Sequence, residues 1–564
     1  MGVNESLIEI INDETLLFTN RSGDTFARVK SSGIGLTTPI RSELFRFWLG
    51  RNVFESKGSY PNENAMRESI AYAEGKARAD GLVHEVFCRL AGDHHRILID
   101  LIDEKGSYVE VTADGWKVVE GSPPDVFFIR RSSMLEMPRP QQNGSLEQLR
   151  DLLNLKDETD WKLLVMWLVG AMNPKGPYPI LMLNGGPGTA KSTTSSILKR
   201  LIDPSGAPLR SLPTSERDAM VMGQSARVLV FDNVSHMSND TADLFCRIAT
   251  GAGFAVRKLY TDSDEKVISV MLANIFNGIP DFYSSRSDLV DRSVGITLKS
   301  ISSKDRRSSK DIEATFESKK GLLFGALLDV LVSILRCLPH VTLQSRPRMA
   351  DFAEFVTAAE KHFNWSDGTV VTLLDQNQRE AESMILENCV YTDIIKELVF
   401  HKGKEWTGSA KKLLEEIEER IGDDQRKKRQ LPQSPGALSG SLRRYTPAFA
   451  SIGIEIDCDG KTSGSNSKRV ISIYRSRFPG DKPRQIPSAR KDQDKELQGK
   501  FPAEALQALQ EAEPEKIKPT CFGDPNRFER SSDLCLSCPV EFDCEKELDA
   551  LVPSPVEGND EHFH

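Results

Sequence analysis

The sequence lacks an excess of positive charge and a secretion signal. Its strongest apolar run, residues 163–172, has ten residues, too few for a helix that crosses a bilayer. Residues 1–5 lack the basic start and apolar core of a signal peptide. The net charge is −9, so any contact with nucleic acid must come from local basic patches. We therefore expect a cytoplasmic protein without a membrane partner.

The chain also lacks internal repeats and the dense cysteine pattern of a small secreted domain. Five of its nine cysteines, at positions 88, 246, 337, 389 and 458, are scattered and predict ordinary reduced thiols. Apolar residues make up 39% of the 564 residues and charged residues 27%, which is typical of globular protein. At roughly 150 residues per domain, this length predicts about three to five domains.

A glycine-rich segment, Gly-Gly-Pro-Gly-Thr-Ala-Lys-Ser at 185–192, predicts a phosphate-binding loop. A predicted strand (178–183) precedes it and a predicted helix (192–201) follows it. Small residues let backbone N–H groups converge on a phosphate, and the helix start adds a favourable dipole. The alternative is an ordinary glycine-rich turn. The expected ATP-binding residues are Gly185, Gly186, Pro187, Gly188, Thr189, Ala190, Lys191, Ser192 and Thr193.

Within this loop we expect Lys191 to reach the β- and γ-phosphates of ATP and Ser192 to bind Mg²⁺. Ala190 stands where such loops usually have glycine. Alanine is tolerated there if the position does not need a positive φ.

A second apolar strand ends in Asp232, 41 residues after Lys191. A buried strand that brings a carboxylate to the phosphate loop is how such sites hold Mg²⁺. Asn233 follows, where many ATPases have glutamate, and an amide orients water but cannot take its proton. Glu216 is then the nearest alternative base in the sequence.

Further polar residues follow in the order expected of a ring-forming motor. The segment 267–277 predicts a strand ending in Asn277, a candidate sensor. We expect Arg286 or Arg292 to reach the γ-phosphate bound by a neighbouring subunit, and Arg348 to be a second sensor from a helical lid. For any one arginine, a surface ion pair is the simpler alternative.

This order of motifs resembles superfamily-3 helicases of the AAA+ class, the ring ATPases of phages, plasmids and mobile elements. More closely, residues 20–365 are similar to bacterial and prophage proteins described only as ATP-binding proteins. The strings Lys258–Asp262 and Pro347–Ala353 carry that second likeness. The resemblance implies a homo-hexamer that hydrolyses ATP with Mg²⁺ and translocates DNA, with replication proteins as partners. Ala190 and Asn233 depart from typical helicases.

The segment 244–260 is similar to the extra motif of that helicase group, which forms a hairpin projecting into the central channel. Arg257, Lys258 and Tyr260 combine charge for phosphates with a ring for base stacking. An ordinary solvated β-turn is the alternative.

Residues 391–476 predict a separate DNA-binding unit. A helix is predicted over 406–417, with Ala410, Leu413, Leu414 and Ile417 at helical spacing. Ser434 and Pro435 then predict the start of a second helix, and strands are predicted at 452–456 and 469–474. This order resembles the winged helix-turn-helix of phage replicative helicases, although a protein-docking winged helix is the alternative. The residues expected to face the DNA groove are Ser439, Ser441, Arg443 and Arg444.

Four cysteines near the carboxyl end form a metal-binding pattern. Cys521, Cys535, Cys538 and Cys544 are separated by 13, 2 and 5 residues. Four thiolates suit Zn²⁺ and equally suit a 4Fe-4S cluster. The Cys-x-x-Cys-Pro-Val-x₃-Cys string is similar to WhiB-like iron–sulfur proteins over this short module alone.

Together these patterns predict an α/β fold with an AAA+ P-loop ATPase core. The predicted divisions are an α+β amino-terminal domain (1–144), the ATPase core (145–320), a helical lid (321–385), a winged helix (386–476), a flexible linker (477–517), a four-cysteine module (518–550) and a tail (551–564).

The function that we expect is that of an ATP-dependent DNA helicase or replication-initiator ATPase of a phage or integrated mobile element. One rival is an ATP-switched DNA-binding regulator or defence ATPase that grips DNA without unwinding it. A primase–helicase is disfavoured because Asp100 and Asp103 have the wrong spacing for an Asp-x-Asp site.

Overall fold

The computed structural model describes residues 3–31, 34–257, 265–278, 286–387, 389–400, 405–421, 431–461 and 469–475. Contacts divide the chain into one unit of residues 1–460 and 468–481 and another of 461–467 and 482–564. The described residues belong to the first unit, apart from Lys461. The predicted linker, cysteine module and tail lie outside the described residues.

The amino-terminal region begins with three helices packed on a three-stranded antiparallel sheet of order β1-β2-β3. Ser42 and Asn62 cap α2 and α3 by accepting hydrogen bonds from backbone N–H groups three residues later. The elements are α1 (Val3–Glu14), β1 (Thr15–Thr19), β2 (Thr25–Ser31), β3 (Ile34–Pro39), α2 (Glu43–Lys57) and α3 (Glu63–Ala79).

A four-stranded antiparallel meander of order β5-β6-β7-β8 follows, and a short parallel pair joins β4 to β9. These strands are β4 (Val86–Phe87), β5 (Leu90–Gly92), β6 (Arg96–Asp100), β7 (Tyr108–Thr112), β8 (Gly115–Val119) and β9 (Phe127–Phe128).

The central region contains a parallel four-stranded sheet of order β11-β14-β10-β15. All five residues of β10 are buried, as expected for a parallel strand covered on both faces. The elements are α4 (Glu147–Arg150), α5 (Glu158–Gly170), β10 (Ile180–Asn184), α6 (Lys191–Ile202), α7 (Glu216–Gly223), β11 (Val228–Val234), α8 (Asn239–Thr250), β12 (Ala252–Arg257), β13 (Glu265–Val270), β14 (Ala273–Gly278), α9 (Ser287–Val290) and β15 (Ser293–Thr297).

Residues 147–170 form two separate helices, α4 and α5, with an irregular segment between them. One prediction for this region is corrected. The single strand predicted over 267–277 is two strands, because β13 pairs with β12 in an antiparallel hairpin whereas β14 enters the parallel sheet.

The region predicted as a lid consists of α10 (Ser309–Cys337), a 3-10 turn (Leu338–His340), α11 (Ala350–Thr357) and α12 (Thr369–Glu387). By length and composition the span Ser309–His340 would suffice to cross a membrane, but 72% of its most apolar window is buried inside the protein. The helix α10 contacts α6 and the strands β7 and β8. Trp116 Nε1 donates to Asp329 Oδ1 at 2.8 Å in this contact. α10 is therefore a central core helix.

The carboxyl-terminal part is a helical unit with a three-stranded sheet of order β16-β18-β17. The helix predicted from Trp406 is corrected, because Trp406 lies in β16 and the helix begins at Ala410. The predicted two-stranded wing thus gains a third strand. The elements are α13 (Thr392–Phe400), β16 (Glu405–Gly408), α14 (Ala410–Ile421), α15 (Pro435–Ser451), β17 (Ile454–Lys461) and β18 (Arg469–Arg475).

Candidate nucleotide-binding site

The glycine-rich loop connects β10 to α6 at the carboxyl end of the parallel sheet. Gly185 and Gly188 have φ values of +152° and +76°. A methyl group on Gly185 would lie 2.7 Å from Thr189 Oγ1, so this position accepts only glycine. Thr189 Oγ1 in turn donates to the Gly186 carbonyl at 2.9 Å, which closes the loop on itself.

Ala190 adopts the left-handed conformation, with φ 68° and ψ 29°. The condition under which alanine was expected to be tolerated here, a position that needs no positive φ, is therefore not met. The left-handed conformation costs an L-residue roughly 1–2 kcal/mol. Tertiary contacts hold the loop in place: Asn154 Nδ2 donates to the Thr189 carbonyl at 3.3 Å and to the Lys299 carbonyl at 2.5 Å.

Lys191 is the first residue of α6, and its ammonium turns back over the loop. Its Nζ donates to the Gly185 carbonyl at 2.7 Å and to the Gly186 carbonyl at 2.9 Å. Burial lowers the pKa of Lys191, while the nearby Asp232 carboxylate acts in the opposite direction. The cation is thus positioned by the same glycines that shape the loop.

Ser192 and Asp232 come together although they lie 40 residues apart in the chain. Ser192 Oγ donates to Asp232 Oδ1 at 2.8 Å. Asp232 lies near the carboxyl end of β11, which is separated from β10 by β14. A hydroxyl and a carboxylate are hard oxygen donors of the kind that Mg²⁺ prefers.

Asn277 joins the acidic strand to the helix behind the loop. Its Oδ1 accepts from the Asn233 N–H at 2.8 Å, and its Nδ2 donates to Ser195 Oγ at 3.1 Å. The pairing of β11 with β14 shifts register between Phe231 and Val234, and Asn233 there has φ 54°. Asparagine adopts this conformation more readily than glutamate, which gives a conformational reason for the amide at this position.

Arg292 and Arg348 lie at the opposite end of the sheet from the loop. Ile180, the first residue of β10, pairs with Ser293, next to Arg292. Arg292 Nη1 donates to the Asp288 carbonyl at 2.9 Å, and Arg348 Nη1 pairs with Asp291 Oδ2 at 2.5 Å. The five residues of β10 span about 13 Å. Neither arginine therefore lies beside the glycine-rich loop of its own chain.

Comparison with known families covers both the site and the carboxyl-terminal region. A family model described as actinomycete integrative conjugative element replication protein matches residues 146–366. A second model, the RepA C-terminal domain of the same elements, matches residues 392–487. Together the two cover more than half of the chain. The chain belongs to this replication-protein family. The expected mobile-element origin and role in replication are confirmed.

Other comparisons add little to the assignment of this replication protein. No curated protein matches it. Three apo structures of the NrS-1 C terminal region are similar at 12% identity, covering 83–84% of this chain and 98–100% of theirs. Their TM-scores of 0.34–0.36 are too low to support a fold or a function.

Arg286 of the replication protein is engaged at the start of α8. Its Nη2 donates to the Met237 carbonyl at 2.8 Å, and its Nη1 contacts Asn239 Oδ1. Burial lowers the pKa of Arg286 despite the opposing effect of Asp243. Glu216, the alternative base, forms an ion pair with Arg247.

The hairpin expected in the replication protein is present in its described part. Strands β12 and β13 pair antiparallel from Ala252–Val270 to Arg257–Glu265. Lys258 and Tyr260, expected at the tip, lie outside the described residues. Their DNA contact stays a prediction.

The helix α15 of the predicted winged unit does not place all of its polar residues as expected. Arg443 Nη2 pairs with Asp459 at 2.5 Å on the surface, and Arg444 is exposed. Ser439 Oγ donates to the Pro435 carbonyl of its own helix at 3.1 Å. Ser441 does not face a groove, because it is buried and bonded to the Tyr391 hydroxyl at 2.7 Å.

Sequence inspection missed a buried ionic cluster at the far end of α6. The carboxylate of Asp203 accepts hydrogen bonds from Arg89 Nε at 3.0 Å and from Lys199 Nζ. All three side chains are no more than 2% exposed. No sequence motif marks this cluster, because residues 89 and 203 lie more than 100 positions apart in the chain.

Proposed function

We propose that this replication protein is an ATP-driven DNA motor that hydrolyses ATP at the interfaces of a homo-hexameric ring. The observation that carries the proposal is the 2.8 Å bond between Ser192 Oγ and Asp232 Oδ1, beside a loop that positions Lys191. A phosphate cradle, a cation and two hard oxygen donors at one sheet edge are the parts that phosphoryl transfer requires.

The residues present fit ATP with Mg²⁺. Ser192 and Asp232 would hold the metal ion, which when bound neutralises charge on the phosphates. Lys191 would donate to the terminal phosphates, and the loop N–H groups would fix their orientation. Asn233 is exposed and its N–H is held by Asn277, so its side chain is free to orient a water molecule.

The positions of the arginines support the proposed ring. Arg292 and Arg348 are at the sheet end remote from their own loop, so a phosphate contact by either one requires a neighbouring subunit. This position supports a role in trans for Arg292, with Arg348 beside it.

Mixing two inactive variants tests the role of Arg292 in trans. We expect Arg292→Ala protein to bind ATP normally but to hydrolyse it poorly. Mixing it with Lys191→Ala protein should restore part of the activity, because some interfaces then pair an intact loop with an intact arginine. Phosphate release is measured at varied mixing ratios.

The matched control mixes Lys191→Ala with Asp232→Ala, two variants damaged in the same loop site, and should restore nothing. If the Arg292 mixture also stays inactive, Arg292 is a structural residue of its own subunit, and Arg286 becomes the candidate.

The proposed DNA contacts are Arg257, Lys258 and Tyr260 of the hairpin and Arg443 and Arg444 of the winged unit. A strand-displacement assay separates the motor from its rival. ATP-dependent displacement supports the motor. ATP-dependent binding without displacement favours an ATP-switched DNA-binding regulator.

The hydrogen bonds that Asp100 and Asp103 accept within the fold argue against a primase site in the amino-terminal region. Asp100 accepts two hydrogen bonds from Arg130, through Nη2 at 2.6 Å and Nε at 3.1 Å. Asp103 Oδ1 accepts the Ser107 N–H at 2.7 Å. Both carboxylates accept hydrogen bonds within the fold. We therefore favour the ATP-driven motor over a primase–helicase.

We further propose that Cys521, Cys535, Cys538 and Cys544 bind one metal centre. A segment of about thirty residues has too little apolar surface to fold alone, so ligation must supply the folding energy. Protein purified without oxygen or chelator should contain about one Zn²⁺ per chain or a brown iron–sulfur chromophore. Elemental analysis that finds neither metal would remove the assignment, whereas deletion of residues 518–564 should leave ATPase activity intact.

A further inference from the structure

An arginine that no sequence motif marks lies against the phosphate loop. A methyl group built on Gly188 would lie 3.0 Å from Arg306 Nη2. Arg306 is exposed and belongs to the segment 299–308, which connects β15 to the first turn of α10. Its guanidinium therefore reaches the same six-residue loop whose carbonyls accept hydrogen bonds from Lys191.

The segment around Arg306 is fixed at both ends. The Lys299 N–H donates to the Asn154 carbonyl at 3.0 Å, and Asn154 also holds the loop through Thr189. Arg307 donates through Nη1 to the Asp151 carbonyl at 3.3 Å and through Nη2 to Thr315 Oγ1 at 3.2 Å. These contacts hold the backbone that carries Arg306 beside the loop.

Arg306 itself is not used to hold the fold. Among the described residues, Arg307 has two hydrogen-bond partners, whereas Arg306 has neither a hydrogen bond nor an ion pair. An exposed, unpaired guanidinium beside a glycine loop provides planar donors suited to phosphate oxygens.

The local charge favours a polyanion. Lys191 and Arg306 flank the loop, and the Asp232 carboxylate is bonded to Ser192. We propose that Arg306 binds the terminal phosphates of the nucleotide held by its own subunit. This inference rests on the proposed ATP site. Arg306 would contact the phosphates within its own subunit, whereas Arg292 and Arg348 are proposed to contact those of a neighbouring subunit.

The test compares nucleotide affinity in wild-type, Arg306→Ala and Arg306→Lys proteins, with Lys304→Ala as a matched control. Lys304 is an exposed cation two residues away on the same segment. Arg306→Ala should weaken Mg²⁺–ATP binding by about tenfold to hundredfold, the range for loss of charge-assisted hydrogen bonds. The loss should be smaller for ADP, and Arg306→Lys should recover part of it. Lys304→Ala should bind as wild type does.

Isothermal titration gives the affinities, and thermal unfolding should be equal in all four proteins because Arg306 has no partner in the described fold. Equal ATP affinity in wild type and Arg306→Ala, with Lys191→Ala defective, would overturn this inference alone. An equal loss in Lys304→Ala would also overturn it, because general surface charge would then explain the effect. A wild-type protein that binds no ATP would overturn both this inference and the proposed function.

Discussion

Replacement of Lys191 by alanine is expected to abolish ATP turnover without unfolding the protein. Among the described residues the ammonium donates to two loop carbonyls alone, at 2.7 and 2.9 Å, so its removal opens no cavity in the described core. In the proposed reaction it stabilises charge that develops on the transferring phosphoryl group. Loss of one such preorganised donor typically lowers kcat by about 10²–10³-fold.

Phosphate release at saturating ATP measures the effect, with thermal unfolding as the test of the fold. Lys310→Ala is the matched control, since Lys310 is an exposed lysine at the start of another helix, α10. It should keep wild-type turnover. Retained turnover in Lys191→Ala would exclude this loop as the site of hydrolysis.

Replacement of Asp203 by alanine is expected to destabilise the folded protein by about 3–5 kcal/mol, the cost of breaking a buried ion pair from one side. Besides Arg89 and Lys199, its Oδ2 accepts the N–H groups of Arg227 at 2.7 Å and Val228 at 2.9 Å. The substitution leaves two buried cations and two buried N–H groups without their acceptor. Urea unfolding at neutral pH measures the loss.

The exposed pair of Lys105 and Glu120 provides the control for this experiment. Both side chains are 60% exposed, so Glu120→Ala should change the free energy of unfolding by less than about 1 kcal/mol. Similar effects for Asp203→Ala and Glu120→Ala would show that the buried cluster contributes no more than a surface pair.

The stabilisation by Asp203 should depend on pH in the acid range. Burial acts to raise the pKa of this carboxyl, but Lys199, Arg89 and the hydrogen bonds outweigh it and lower the pKa from 3.8 to about 2. A depressed folded-state pKa stabilises the protein above the unfolded-state value and loses that effect as pH falls. The difference between wild type and Asp203→Ala should therefore be constant above about pH 5 and shrink between pH 4 and pH 2.

The same cluster links the amino-terminal region to the proposed nucleotide site. Arg89, which has a positive φ of 67°, donates to the Leu135 and Pro204 carbonyls as well as to Asp203. Asp203 ends α6, and Lys191 begins it. The helix that carries the proposed phosphate-binding lysine is thus fixed at its far end by a residue from the meander region.

The sequence by itself determined the parts whose chemistry is local. The glycine loop, Lys191 and Ser192 are contiguous, and an apolar run leads directly into Asp232, so pattern and spacing were sufficient to predict them. The helix caps at Ser42 and Asn62 are equally local, because a cap bonds to an N–H only three residues away. Part of α10 falls within the predicted lid (321–385), but its place between two regions of the chain could not be predicted from its composition.

Only the tertiary structure decided how these parts meet. It set the left-handed conformation of Ala190, the bonds of Asn277 to Asn233 and Ser195, and the remote position of Arg292 and Arg348. It also brought Arg89 to Asp203 and Arg306 to Gly188. Each of these depends on strand order or on contacts between distant segments. Hydrophobic periodicity reports which face of an element is buried, but it does not report which other element covers that face.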